Sequence, residues 1–174
     1  MDAQMARGEV DLALTTPGAA PDNLRMRTLY REAYIAIARP GHPALSDRLD
    51  LDTFCRLDHV IVSPEGGGFH GPVDDALAAV GLSRRVALSA PGFLVVPEIV
   101  ARSDMIALVP TRVAADRVGR VRLLDPPLPV PGFDMAMVWH ERTTTHPLHQ
   151  WLRQRIGELV SGARMDGREM PTRP

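Results

Sequence analysis

Apolar positions in the middle of this chain follow two alternating rhythms. His59 to Ser63 is a short β-branched run, the signature of a buried strand. Pro72 to Val80 then carries Val73, Leu77 and Val80 at i, i+4 and i+7, one face of a helix. Pro72 suits the first helical turn, Asp74 and Asp75 favour the N-terminal dipole, and Gly81 supplies a stop. The alternation continues with a strand at Arg84–Ser89 and a helix at Phe93–Arg102, where Pro97 is tolerated only near the first turn. A strand at Met105–Val109 follows, then a short helix capped by Thr111 and ending near Gly119, then a strand at Val121–Leu124. Strands separated by helices in this way predict βαβ units and a mostly parallel sheet.

The flanks read differently. Asp11–Thr15 is an apolar strand after a helix that ends at Gly8, and Met26–Tyr30 and Ala33–Ala38 read as two more strands. The stretch from Pro126 to Pro131 is too rich in proline to be sheet interior. Phe133–Trp139 is a strand. His146–Val160 is a long helix whose apolar stripe is Leu148, Leu152, Ile156, Leu159 and Val160. From Ser161 the chain turns polar, and 161–174 reads as a disordered tail. The expected architecture is α/β with two lobes. Residues 41–132 form a complete lobe, and residues 1–40 with 133–160 form part of another. Crossings near Ala38–Gly41 and Gly132–Met135 would make a hinged cleft suited to a small ligand.

Composition narrows the function. The chain has 174 residues and a net charge of −1, so nothing in the balance calls for nucleic acid or an anionic membrane. Every basic residue is Arg, and the absence of Lys excludes P-loop, Schiff-base and pyridoxal chemistry. A single cysteine, Cys55, allows no internal disulfide, which suits a reducing cytosol. The start has no secretory pattern, and no apolar run approaches the roughly 20 residues that span a bilayer. These features predict a cytoplasmic protein without a membrane role.

Candidate chemistry concentrates at one strand–helix junction, Ser63-Pro64-Glu65-Gly66-Gly67-Gly68-Phe69-His70. Such junctions face the ligand crevice of a parallel α/β sheet. A glycine-rich backbone and a helix N-terminus offer N–H donors for a carboxylate, and Ser63 adds a hydroxyl. Phe69 and His70 offer an aromatic surface and a polar group. The competing reading is a βα loop in which glycine only permits the turn. Gly92 and Phe93 open the next helix on the same sheet edge, although Phe93 also fits a core position. Thr15 and Thr16 end the strand of the other lobe and would line an opposite wall, or are ordinary strand-end threonines. His140, His146 and His149 cluster in sequence, but no Cys or carboxylate completes a metal set. His42 reads as a turn residue and His59 as the start of a strand. Catalysis finds no support: no nucleophile elbow is present, and Pro64 has no N–H to give to an oxyanion. No cofactor or metal is expected.

Several segments are similar to one family. Gly8-Glu9-Val10-Asp11-Leu12-Ala13-Leu14, Tyr34 to Pro43, and Ser103-Asp104 to Pro110 together resemble LysR-type transcriptional regulators in their effector-sensing domain. Ser103-Asp104 replaces a glycine of that pattern. With Ser63-Pro64, Gly71-Pro72-Val73-Asp74, Pro91-Gly92-Phe93 and Val138-Trp139-His140, the departure resembles the subgroup that senses aromatic compounds and their carboxylates. The resemblance covers nearly all of residues 8–160. It implies a periplasmic-binding-protein-like fold and a small-molecule effector, an aromatic carboxylate, held between the lobes by Ser63, Pro64, Gly67, Gly68, Phe69, His70, Gly92, Phe93, Thr15 and Thr16. It also implies that the DNA-binding head and the first piece of the sensing domain lie outside this chain, through a shortened gene product or an internal start. The first lobe is then incomplete, these residues do not bind DNA by themselves, and self-association through Pro72–Val80 and Arg84–Ser89 is altered. The alternative reading is a solute-binding protein of a transporter, with the same two-lobed fold.

Overall fold

The computed structural model describes residues 1–64 and 66–162. The fold is α/β, and the chain divides into two compact units, residues 1–31 with 133–174 and residues 32–132. The second change of unit comes after Gly132. The first falls after Arg31, because the strand Ala33–Ala38, grouped on sequence with the first lobe, pairs inside the larger sheet.

That larger sheet contains β3 (Tyr34–Ala38), β4 (Asp58–Val62), β5 (Arg85–Ala90), β6 (Ile106–Pro110) and β7 (Arg122–Leu124), in the order β5-β4-β6-β3-β7. β4 runs parallel to β5 and β6, while β3 runs antiparallel to both β6 and β7. Four strands therefore share one direction and β3 alone opposes them. The prediction of a mostly parallel sheet holds for strand direction, but the ladders are mixed because β3 is inserted between β6 and β7. Helices α2 (Leu51–Arg56), α3 (Pro72–Ala78), α4 (Val96–Ala101) and α5 (Thr111–Ala115) complete this unit. Alternation along the strands sorts two cores, since successive side chains leave opposite faces. Ile35, Ile37, Ala107 and Val109 pack with Val96 and Val100 of α4. Ala36, Ala38, Ile106 and Leu108 pack with Phe54 of α2 and with Val73 and Leu77 of α3.

Three local expectations change. Helix α3 ends at Ala78, and Val80 is 61% exposed rather than part of the apolar face. Gly81 takes φ +73°, and Leu82 N–H reaches back to the Leu77 carbonyl at 2.9 Å. This is a Schellman-type stop, which turns Val80 outward. Thr111 does not cap α5 but is its first residue, and its hydroxyl donates to the Ala33 carbonyl at 3.0 Å. The helix ends at Ala115, before Gly119. His59 is the second residue of β4 and is fully buried.

The other unit holds α1 (Asp2–Ala6), β1 (Ala13–Thr15), β2 (Arg25–Glu32), β8 (Phe133–Trp139) and α6 (Pro147–Gly162). Its sheet has the order β1-β8-β2, with Leu14 opposite Met137 in an antiparallel pair. Met5, Leu24 and Val138 form the local core. Helix α6 departs from the predicted stripe: Leu148, Leu152 and Leu159 are exposed, while Arg153 and Gly157 face inward. The surface beneath explains the choice. The Arg153 guanidinium stacks on Trp139, 4.7 Å from the ring centroid, and donates to the carbonyls of Thr143 and Thr144. At Gly157 a Cβ would lie 3.2 Å from the Arg27 guanidinium, so a leucine has no room. Ser161 and Gly162 belong to the end of α6, and residues 163–174 of the predicted tail lie outside the described residues.

Candidate functional site

The Ser63–His70 junction leaves the C-terminal end of β4 and leads into α3. Ser63 N–H donates to the Ala90 carbonyl at 2.9 Å, which ties the loop's start to the end of β5. The Ser63 hydroxyl oxygen accepts from Gly68 N–H at 3.2 Å. Gly66 and Gly67 take φ +81° and +72°, a left-handed pair that suits glycine. At Gly68 a Cβ would sit 2.7 Å from Ser63 Oγ, so the missing side chain is what lets the backbone reach the hydroxyl. Among the described residues the Ser63 hydroxyl hydrogen has no acceptor, and it stands next to loop backbone. Pro64 and Gly67 are exposed, and Phe69 is 55% exposed with its ring outward.

The far end of the loop differs from the expectation. The first N–H of the α3 terminus is not available to a ligand. Gly71 N–H donates to Asp74 Oδ2 at 2.8 Å, so Asp74 caps its own helix from within. His70 points away from the loop to Asp75, with Nε2 to Oδ1 at 2.8 Å. A short helix with an acidic first turn satisfies its own terminal donor, which leaves Ser63 and the loop backbone as the remaining donors of the junction.

Beneath the loop lies a buried polar chain. Arg84 grips Asp74 with two parallel bonds, Nε to Oδ1 at 2.8 Å and Nη2 to Oδ2 at 2.9 Å. Its third nitrogen approaches His59 Nδ1 at 3.2 Å, and His59 Nε2 bonds the Phe54 carbonyl at 2.7 Å. A carbonyl only accepts, so Nε2 carries the hydrogen and Nδ1 accepts from Arg84. Burial pushes the His59 pKa down to about 4, helped by the nearby Arg84 charge and opposed by the Phe54 carbonyl. Burial alone would raise the Asp74 pKa. The Arg84 hydrogen bonds and charge and the Gly71 N–H outweigh it and hold the carboxyl below its usual range. The sequence reading took Asp74 as a dipole partner and Arg84 as the start of a strand, and no periodicity links them.

Gly92 and Phe93 lie in the turn before α4, which begins only at Val96. Phe93 packs against the core on the β3–β6 face and is half-buried, whereas Leu94 and Val95 are exposed. Leu94, at 75% exposure, escaped the sequence reading because a lone leucine beside a predicted helix looks like core. Thr15 ends β1 and Thr16 precedes the short turn of 3-10 helix at Pro17–Ala19. Both are half-buried in the other unit. The structure therefore brings Ser63, Gly67, Gly68 and Phe69 together on one loop, with the Gly92–Phe93 turn in the same unit.

His42 is buried. It bonds the Asp104 carbonyl at 2.9 Å and accepts from Ala44 N–H at 3.2 Å. Among the described residues no group of His, Cys, Asp and Glu is placed to hold a metal ion, and no helix is long and apolar enough to cross a membrane.

The sequence model of the LysR substrate binding domain matches residues 2–161. The chain belongs to this family. It is 31% identical over 161 residues to the HTH-type transcriptional regulator SyrM of Rhizobium meliloti (strain 1021), covering 91% of this chain and 49% of that protein. It is 34% identical over 161 residues to the HTH-type transcriptional activator NagR of a Ralstonia species, covering 91% and 53%. The chain thus spans about half the length of these relatives. Among solved structures, the regulatory domain of MexT, a transcriptional activator in Pseudomonas aeruginosa, superposes with a TM-score of 0.75 at 30% identity, covering 91% of this chain and 76% of that one.

Proposed function

We propose that this chain is the effector-sensing part of a transcriptional regulator, and that its effector is a small aromatic carboxylate received at the Ser63–Phe69 loop. The observation that carries this reading is the state of the Ser63 hydroxyl. Its oxygen already accepts from Gly68 N–H, which leaves the hydroxyl's own hydrogen free to donate to a ligand. A carboxylate is the acceptor that fits a pre-placed O–H beside glycine backbone, because charge-assisted bonds are short and strong. The exposed Phe69 ring offers the flat apolar neighbour that an aromatic acid needs.

In this reading the protein works in the cytoplasm, and these residues sense rather than contact DNA. Self-association involves α3, β5 and the turn between them, where Val80, Leu82 and Leu88 present apolar surface, and is altered from the family's usual mode. Relatives named as transcriptional regulators favour sensing over solute capture for transport and over catalysis. The test is calorimetry of the 174-residue chain against benzoate, salicylate and related acids. Losing one hydrogen bond to a charged group costs about 1.5–3 kcal/mol. Ser63→Ala is therefore expected to weaken binding roughly ten- to a hundredfold. Equal binding by both proteins, or none by the wild type, overturns the reading.

A further inference from the structure

The loop that carries Ser63 begins and ends beside a recess. Val62 stands immediately before Ser63 and Gly71 immediately after His70, and both line a part-open cavity of about 70 Å³. Its other walls include Ile61, Val73, Phe93 and Leu108, and Arg84 is the one charged group in its lining. The recess thus lies at the C-terminal ends of β4 and β6, beside both ends of the proposed effector loop.

Its size and polarity restrict what it accepts. An apolar protein cavity that takes up benzene measures about 150 Å³. Half that volume does not admit a ring, but it admits one group the size of a methyl or a chlorine atom. Arg84 does not make it an anion site. The guanidinium is 3% exposed, and Asp74 neutralises it through two bonds while His59 takes a third. A second carboxylate there would have to displace Asp74, which also holds the Gly71 N–H.

We infer that this recess is a specificity subsite, and that it receives a single small apolar substituent, methyl or chloro, on the ring of the effector. The inference rests on the effector reading above. With the carboxylate held at Ser63, the ring lies over the loop, and one ring position projects past Val62 into the recess. Effectors with a substituent at that position are favoured over the bare acid because they bury apolar surface at no polar cost. Larger substituents are refused because the sheet strands behind Ile61 and Leu108 do not give way.

The experiment titrates the 174-residue chain with benzoate and salicylate and with each monomethyl, monochloro and monoethyl derivative. In the wild type, methyl or chloro at one ring position is expected to tighten binding about tenfold, the scale of one extra methylene in an apolar pocket. Ethyl at that position is expected to bring no gain. Val62→Leu fills the recess and should erase the methyl gain, so that the methyl derivative binds no more tightly than the parent acid. Ile61→Ala enlarges it and should move the preference to ethyl. Circular dichroism reports whether each variant folds, and should Val62→Leu unfold, Ile61→Ala decides alone. If the parent acid binds and no substituent helps, the subsite is overturned and the effector reading stands. A gain that persists unchanged in Ile61→Ala, with no shift to ethyl, places the substituent elsewhere and also overturns it. If no aromatic acid binds, both fall.

Discussion

Arg84 holds Asp74 through two parallel hydrogen bonds of 2.8 and 2.9 Å, and so fastens the start of β5 to the first turn of α3. Because Asp74 also accepts the Gly71 N–H, this one ion pair fixes the far end of the loop that carries Ser63. Removing Arg84 leaves a part-buried carboxylate without its partner. Arg84→Ala is predicted to destabilise by about 1.5–3 kcal/mol, as losing hydrogen bonds to a charged group does. Arg84→Met combined with Asp74→Asn should recover most of the loss, because the amide oxygen still accepts from Gly71 and no charge is stranded. Urea unfolding of the three proteins checks this. A double variant as unstable as Arg84→Ala argues that packing of the guanidinium, not charge pairing, is what matters.

His59 gives stability a dependence on pH. Its folded pKa of about 4 lies below the ordinary 6.5, so the unfolded chain takes up a proton that the folded chain refuses. The contribution is complete above about pH 6.5 and is lost as pH falls through 4, a swing on the order of 3 kcal/mol. The depressed Asp74 pKa acts in the same sense, but at pH below the usual carboxyl value of 3.8. In His59→Gln the loss between pH 6.5 and 4 should flatten, since glutamine does not titrate. Unfolding free energies measured across that window decide it, and an equally steep variant would refute the assignment to His59.

Gly68→Ala separates the loop's role in binding from any role in stability. The added Cβ would lie 2.7 Å from Ser63 Oγ, and rotating the hydroxyl away relieves the contact. That rotation breaks the bond from Gly68 N–H and moves the Ser63 hydroxyl out of its place in the loop. The variant should unfold within about 0.5 kcal/mol of wild type, as surface changes generally do. Its affinity for the aromatic acid should fall toward that of Ser63→Ala. A loss of stability with affinity intact would reverse the argument.

Helix α6 provides a reversal of the usual rule. Leu159 is 74% exposed, while Arg153 is buried against Trp139. Leu159→Ala is expected to cost less than about 0.5 kcal/mol. Arg153→Ala removes two charge-assisted bonds and a ring contact, and is expected to cost about 1.5–3 kcal/mol. Thermal melts of the two variants in one buffer compare them directly, and the opposite order would mean that α6 packs through its leucine stripe.

These cases indicate which parts of the molecule were legible in the sequence. Phe133–Trp139 was bounded correctly because a mostly apolar run starts straight after Gly132 and gives way to the polar His140-Glu141-Arg142. Pro97 sits within the first turn of α4, as its missing N–H requires. Ser63 and Gly68 stood out because glycine at a strand–helix junction is a local signal. The Arg84–Asp74–His59 chain was not legible. It joins three elements whose spacing follows no helical or strand period, and a buried charge has the same letter as an exposed one. Helix α6 misled for a related reason: periodicity locates an apolar stripe but not the surface it meets, and here that surface carries Trp139 and Arg27. The antiparallel entry of β3 was hidden because pairing partners lie far apart in the chain.

That placement of β3 governs the order in which the sheet can be assembled. Thr111 closes on the Ala33 carbonyl across 78 residues, Ile35 pairs with Val109, and Ile37 pairs with Leu123. A chain emerging from the ribosome makes β3 early and must carry it with both edges bare until β6 and then β7 have been synthesised. Throughout that interval Ile35, Ala36 and Ile37, wholly apolar and later buried, are a template for pairing with another nascent chain. An interior strand of the finished sheet is thus the segment most exposed to aggregation during synthesis, and the contacts that protect it are the last of that sheet to arrive.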